Sequence, residues 1–177
     1  MGGRFEGEAD CRRGPGPEGS ARADLGGGTI VDYESLHEDL TRVLEDLIEK
    51  NGQAPILVEG ARDRRALRAL GIRGDIISLN RGTTLFAICE SVARNHREAI
   101  ILTDWDARGG RLARQLRDGL AANGVRYDDQ LRARLTSLCR KDITDVESLH
   151  TYVDRVTELA RSRNHAKPSK RWYGPMR

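Results

Sequence analysis

Aromatic side chains are scarce in this chain, at 5% of residues, so any core must rest on Leu, Ile, Val and Ala. Cysteine is scarcer still. Cys11, Cys89 and Cys139 are odd in number, scattered and without a C-x-x-C, and read as reduced thiols rather than a disulfide framework or zinc site. The histidines, His37, His96, His150 and His165, also lack metal-ligand spacing. No apolar run approaches the roughly 18 residues of a membrane span. The opening "MGGRFEGEAD" lacks the apolar core of a secretory signal, so the expected location is cytoplasmic, with no membrane partner. No internal repeat is present.

What is there suits one domain with ragged ends, since 177 residues can bury a real core. The net charge of +3 is unevenly spread: the segment 161–177 holds six basic residues and no acid, leaving −3 for the rest. A run of this kind is either a solvated tail or an electrostatic arm for nucleic acid, on which Trp172 and Tyr173 stack on bases. Residues 1–28, rich in Gly, Arg and acids, are expected to be disordered.

Residues 29–54 carry an N-terminal helix. From Tyr33 to Lys50, Leu36, Leu40, Val43, Leu44, Leu47 and Ile48 recur at helical spacing, and Asn51-Gly52 supplies the stop. Between residues 55 and 160 the rhythm changes. The runs "PILVEG", "DIISL" and "AIILT" read as strands, each followed by a helical segment: "RDRRALRALG", "LFAICESVARN" and Arg111–Asn123. A weaker fourth strand is expected around Arg134–Leu138, then a last helix from Val146 to about Arg161. Unbroken aliphatic strands alternating with helices predict an α/β, Rossmann-like fold: a short parallel sheet of about four strands, helices on both faces.

In such sheets ligands lie beyond the carboxyl ends of the strands. Glu59 ends the first strand there, and Asp104 and Asp106 end the third. Residues two apart on extended chain point the same way, so both aspartates aim at one volume, and Glu59 joins them if those strands are neighbours. Carboxylates this close raise one another's pKa unless a cation lies among them. An oxygen-only set suits Mg²⁺, with Mn²⁺ as the alternative. Gly109-Gly110 then allows a backbone or phosphate to approach closely.

The segments "ILVEGARDRRAL", "LNRGTT" and "ILTDWDARGGRLARQL" resemble, in order and spacing, the three elements of the Toprim domain. That domain is shared by topoisomerases, bacterial-type primases, ribosomal-RNA maturases and a set of nucleases. The resemblance spans about Ile56 to Leu149 and is closest to the small archaeal stand-alone Toprim proteins. It implies Glu59 as metal ligand or general acid/base, and Asp104 and Asp106 as Mg²⁺ ligands. Asp63 matches an aspartate of the primase-like first element. "KDITDVESL" looks like a segment of maturase-like members, making Glu147 a second-tier candidate. Tyr33, Tyr127, Tyr152 and Tyr173 all lie outside the motifs, so no tyrosine is placed for strand passage.

Plainer readings stand beside these. Asp104 and Asp106 suit a helix N-cap and acidic first turn, Asp63 suits its own helix N-terminus, and "NRGTT" suits a simple turn. The resemblance adds a phosphate pocket shaped by Asn80 and Gly82. Arg62, Arg108 and Arg111 flank the acids and suit a phosphate clamp. Trp105 should point away from the aspartates into the core. The expected function is a Mg²⁺-binding protein acting on RNA or DNA, by phosphodiester cleavage or processing. The alternative is a non-catalytic Toprim module binding nucleic acid or a partner. A dehalogenase-like phosphatase also uses D-x-D, but on its first strand, and here two strands precede it.

Overall fold

A computed structural model describes residues 32–80 and 82–165, with side chains through Ser162. The segments expected to form the N-terminal tail, 1–28, and most of the basic C-terminal tail lie outside the described residues. The elements run α1 (Tyr33–Asn51), β1 (Ile56–Val58), α2 (Ala61–Ala69), β2 (Ile76–Ser78), α3 (Leu85–Asn95), β3 (Glu98–Ile101), α4 (Ala107–Ala122), β4 (Arg126–Asp128), α5 (Gln130–Cys139) and α6 (Leu149–His165). The four strands form one parallel sheet in the order β2-β1-β3-β4.

Alternation along the strands divides the core into two layers. Ile56 and Val58 of β1 and Ile100 of β3 join one cluster, where α1, α2, α5 and α6 contribute Leu40, Leu67, Leu135 and Val156. Leu57, Ala99 and Ile101 face the other side, against Ile88 and Val92 of α3 and Leu116 and Leu120 of α4. Both sheet faces are thus covered, which is why the strands read as unbroken aliphatic runs. The N-terminal helix α1 is part of this core, with Leu40, Val43 and Leu47 at 1% exposure or less.

Helix starts follow local chemistry. Asp32 accepts from the N–H groups of Glu34 and Ser35, and Thr84 accepts from Ala87, so both are side-chain N-caps.

Four assignments differ from the sequence reading. The stretch Arg134–Leu138 is helical, inside α5, because Leu131, Leu135 and Cys139 bury one helical stripe and Asp128 caps the N–H groups of Gln130 and Leu131. The fourth strand is β4, an edge strand with Arg126 and Tyr127 exposed, and so without an apolar signature. Helix α4 begins at Ala107 rather than Arg111, and α6 begins at Leu149 rather than Val146. Both shifts bear on the site.

Candidate functional site

β1 and β3 are direct neighbours, Ile56 beside Ile100 and Leu57 beside Ile101. Extending that register past the strand ends brings Glu59 level with Thr103, one residue from Asp104. The contact is made: Glu59 Oε1 accepts from the Asp104 N–H at 3.3 Å. On the other flank the Asn80 N–H donates to the Glu59 carbonyl at 3.0 Å, so β2 delivers Asn80 to the same edge. Arg108, in the first turn of α4, places its Nε 3.9 Å from Glu59 Oε2.

Each aspartate has a partner of its own. Asp104 Oδ1 accepts from the Val146 N–H at 2.8 Å, which holds Val146 in the loop before α6. Asp106 Oδ1 accepts from the Gly109 N–H at 2.6 Å, so Asp106 is the N-cap of α4. Asp63 Oδ2 accepts from the Gly60 N–H at 2.8 Å and closes the start of α2, which matches its plainer reading. Asp63 is nevertheless only 6% exposed and lies on the wall of the cleft.

The electrostatics record crowded negative charge. Burial pushes the Asp104 carboxyl up to about 6, and the charges of Asp63, Glu59 and Asp145 add to that rise against the Val146 N–H. Glu59 is also raised, first by burial, with Asp106 and Asp63 adding to it while the Asp104 N–H and Arg108 oppose. Asp63 is raised chiefly by burial.

A cavity of about 430 Å³ opens over this edge, with Glu59, Arg62, Asp63, Asn80, Arg108 and Glu147 on its walls. Arg62 Nη1 lies 3.6 Å from Glu147 Oε2 across it. Glu59, Asp63, Asn80, Arg62, Arg108 and Glu147 are therefore brought together, with Asp104 joined through Glu59. Arg111 is exposed on α4. Gly82, at φ +71, serves the turn between β2 and α3.

Gly109 does permit a close approach, but of the chain itself. A Cβ there would lie 1.9 Å from the Asp104 carbonyl oxygen, so the glycine makes room for the aspartate's own backbone rather than for a phosphate. A Cβ on Gly110 would meet nothing within 4 Å.

No family model matches the chain. Over 125 residues it is 39% identical to a UPF0292 protein of Methanosarcina barkeri, covering 70% of this chain and 87% of that protein. Over 123 residues it is 33% identical to a UPF0292 protein of Methanocaldococcus jannaschii, covering 69% and 95%. The chain belongs to the UPF0292 family. Among solved structures, a putative protein from Aquifex aeolicus matches at TM-score 0.55 and 26% identity, over 62% of this chain and 96% of that one.

In this UPF0292 chain the residue that sets the acidic loop escaped the sequence reading. Arg132, on α5, donates from Nε to the Thr103 carbonyl (3.0 Å) and hydroxyl (3.1 Å), and from Nη2 to the Asp104 carbonyl (2.6 Å). The hydroxyl of Thr103, a fully buried residue, donates to the Gly109 carbonyl at 2.9 Å. Trp105 packs against the α1–α6 layer, and its Nε1 donates to the Ile143 carbonyl at 2.7 Å. The loop from Thr103 to Asp106 is thus clamped from α5, from the chain before α6 and by its own cap.

Among the described residues no group of three or more His, Cys, Asp or Glu side chains is set to hold a metal ion. The donor set still suits a hard cation bound through one or two carboxylates and its own waters. Asp104 and Asp106 each spend one oxygen, Oδ1, on a backbone N–H. No helix among the described residues is long and apolar enough to cross a membrane.

Proposed function

We propose that this UPF0292 chain is a cytoplasmic Toprim-type protein that binds Mg²⁺ at Glu59, Asp104 and Asp106 and acts on the phosphodiester backbone of nucleic acid. One observation carries the reading: at the carboxyl edge of neighbouring parallel strands, the Glu59 carboxylate accepts from the Asp104 backbone N–H at 3.3 Å. Their raised pKa values supply a second support: burial raises both carboxyls, the neighbouring acids add to it, and a cation among them offsets both costs. Held by Glu59, Asp104 and Asp106, Mg²⁺ would supply neutralisation of charge on the scissile phosphate. The chain's own groups do the rest. Arg108 and Arg62 hold phosphate oxygens, Asn80 orients the strand, and Glu59, half-buried with a raised pKa, moves a proton at its carboxyl oxygen.

The second reading, a non-catalytic nucleic-acid or partner-binding module, is favoured by two observations. Among the described residues the carboxylates form no ready-made metal group, and Asp106 is committed to capping α4. Labelled structured RNA, single-stranded DNA and duplex DNA, incubated with and without Mg²⁺, separate the two. An enzyme cleaves at least one of them, and Glu59→Gln at saturating Mg²⁺ still binds it while turnover falls by about 10²–10⁴. Wild type that leaves every substrate intact supports the module. Cleavage at the wild-type rate in Glu59→Gln contradicts the role given to Glu59.

A further inference from the structure

Two cavities meet at Glu59. The acidic one, described above, opens towards α2. A smaller one, of about 220 Å³, opens towards α3 and shares Glu59, Asn80 and Arg108 with it. Its other walls are different in kind: the aliphatic side chains of Leu79, Leu85, Ile88 and Leu112, with Thr83 beside them.

We propose that this smaller cavity is a nucleobase subsite, which takes the unpaired base of the nucleotide whose phosphate lies against Arg108. The proposal rests on the nucleic-acid reading above. Volume supports it, since the cavity is smaller than the roughly 300–1,000 Å³ of sites for drug-sized ligands and is of the size of one planar base. Composition supports it too. Four aliphatic walls offer contact to the faces of a ring, and the Asn80 amide, exposed at the rim, carries both donors and an acceptor for a base edge. Position supplies the link to the backbone. Arg108, on both cavities, is the cation at their junction, so a nucleotide held there has its phosphate on one side and its base on the other.

A further observation stands outside the cavity. Phe86, next to Leu85 on α3, is 64% exposed, more than any other large hydrophobic among the described residues. An exposed aromatic next in sequence to a wall residue of the cavity would give a neighbouring base a surface to stack on. A base in continuous duplex is stacked and paired, and reaches such a pocket only by leaving the helix. The site therefore selects single-stranded or frayed nucleic acid.

The test compares a fluorescein-labelled single strand with a blunt duplex of the same length by anisotropy, in wild type and Leu112→Trp. That substitution fills the cavity and leaves every charge in place. The single strand should bind wild type about tenfold tighter than the duplex. Leu112→Trp should lower single-strand affinity to the duplex level and leave the salt slope unchanged. Adenosine, a probe with a base and no phosphate, should displace the single strand from wild type. If a melting curve shows Leu112→Trp unfolded, Phe86→Ala and Asn80→Ala, both at exposed positions, carry the same expectation of a loss confined to the single strand. Equal affinity for the two forms, or failure of adenosine to compete, overturns the base subsite while leaving the nucleic-acid reading intact. Absence of binding to either form overturns both.

Discussion

Asp104 is bound to its neighbours on three sides: its carboxylate accepts from Val146, its N–H donates to Glu59 and its carbonyl accepts from Arg132. Its carboxyl titrates at about 6 instead of the ordinary 3.8, so between those values the folded state binds more protons than the unfolded state. Stability therefore falls with rising pH across that window, the protonated Asp104 contributing fully below about pH 4 and nothing above the raised value. Asp104→Asn keeps an acceptor for Val146 and removes the charge. Without metal it should stabilise the protein by about 1–2 kcal/mol at pH 8 and leave it unchanged at pH 4, as read by denaturant melts at the two pH values. Arg132 is the second residue with leverage. Arg132→Ala leaves the carbonyls of Thr103 and Asp104 without their donors, and should cost about 1–3 kcal/mol in the same melts. It should also weaken Mg²⁺ binding, because the acidic loop loses its clamp.

At the scale of elements, the start of α4 is the tightest junction in the described fold. Gly109→Ala drives a Cβ into the Asp104 carbonyl and should destabilise by more than about 3 kcal/mol, since backbone must move. Its neighbour behaves in the opposite way. Gly110→Ala meets open space inside a helix and should stabilise by about 0.5–1 kcal/mol. Equal effects at both positions in thermal melts would contradict this geometry. The same junction shows what was legible beforehand. β1, β2 and β3 were readable because burial on both faces left aliphatic runs, and Glu59 and Asp104 because they follow those runs. β4 was not, because an edge strand with Arg126 and Tyr127 exposed carries no such run. Taking Arg134–Leu138 for a strand then hid Arg132, whose role exists only when a helix turns it towards Thr103. Gly109 was legible as a close-approach residue, but a pattern of glycines does not say what approaches.

For the whole molecule, the sheet brings one acidic edge together with arginines from α2 and α4, and the charge beyond His165 is wholly basic. Truncation after His165 preserves α6 and removes Lys167, Lys170, Arg171 and Arg177. If that segment is a nucleic-acid arm, affinity should fall alike for all sequences. The salt slope on duplex DNA should flatten by about 0.9 for each phosphate that the segment neutralises. An unchanged slope would assign the segment to solvent. The central claim is that the Glu59–Asp104–Asp106 edge holds a divalent cation, and one melting experiment tests it most directly. At Mg²⁺ about 100-fold above its Kd, binding to the folded form alone adds about 2.7 kcal/mol, or roughly 5–10 °C in Tm for a domain of this size. The double variant Asp104→Asn with Asp106→Asn retains both acceptors for Val146 and Gly109, so it should fold and show no Mg²⁺-dependent rise. A wild-type Tm indifferent to millimolar Mg²⁺ and Mn²⁺, or an equal rise in the double variant, would contradict the account.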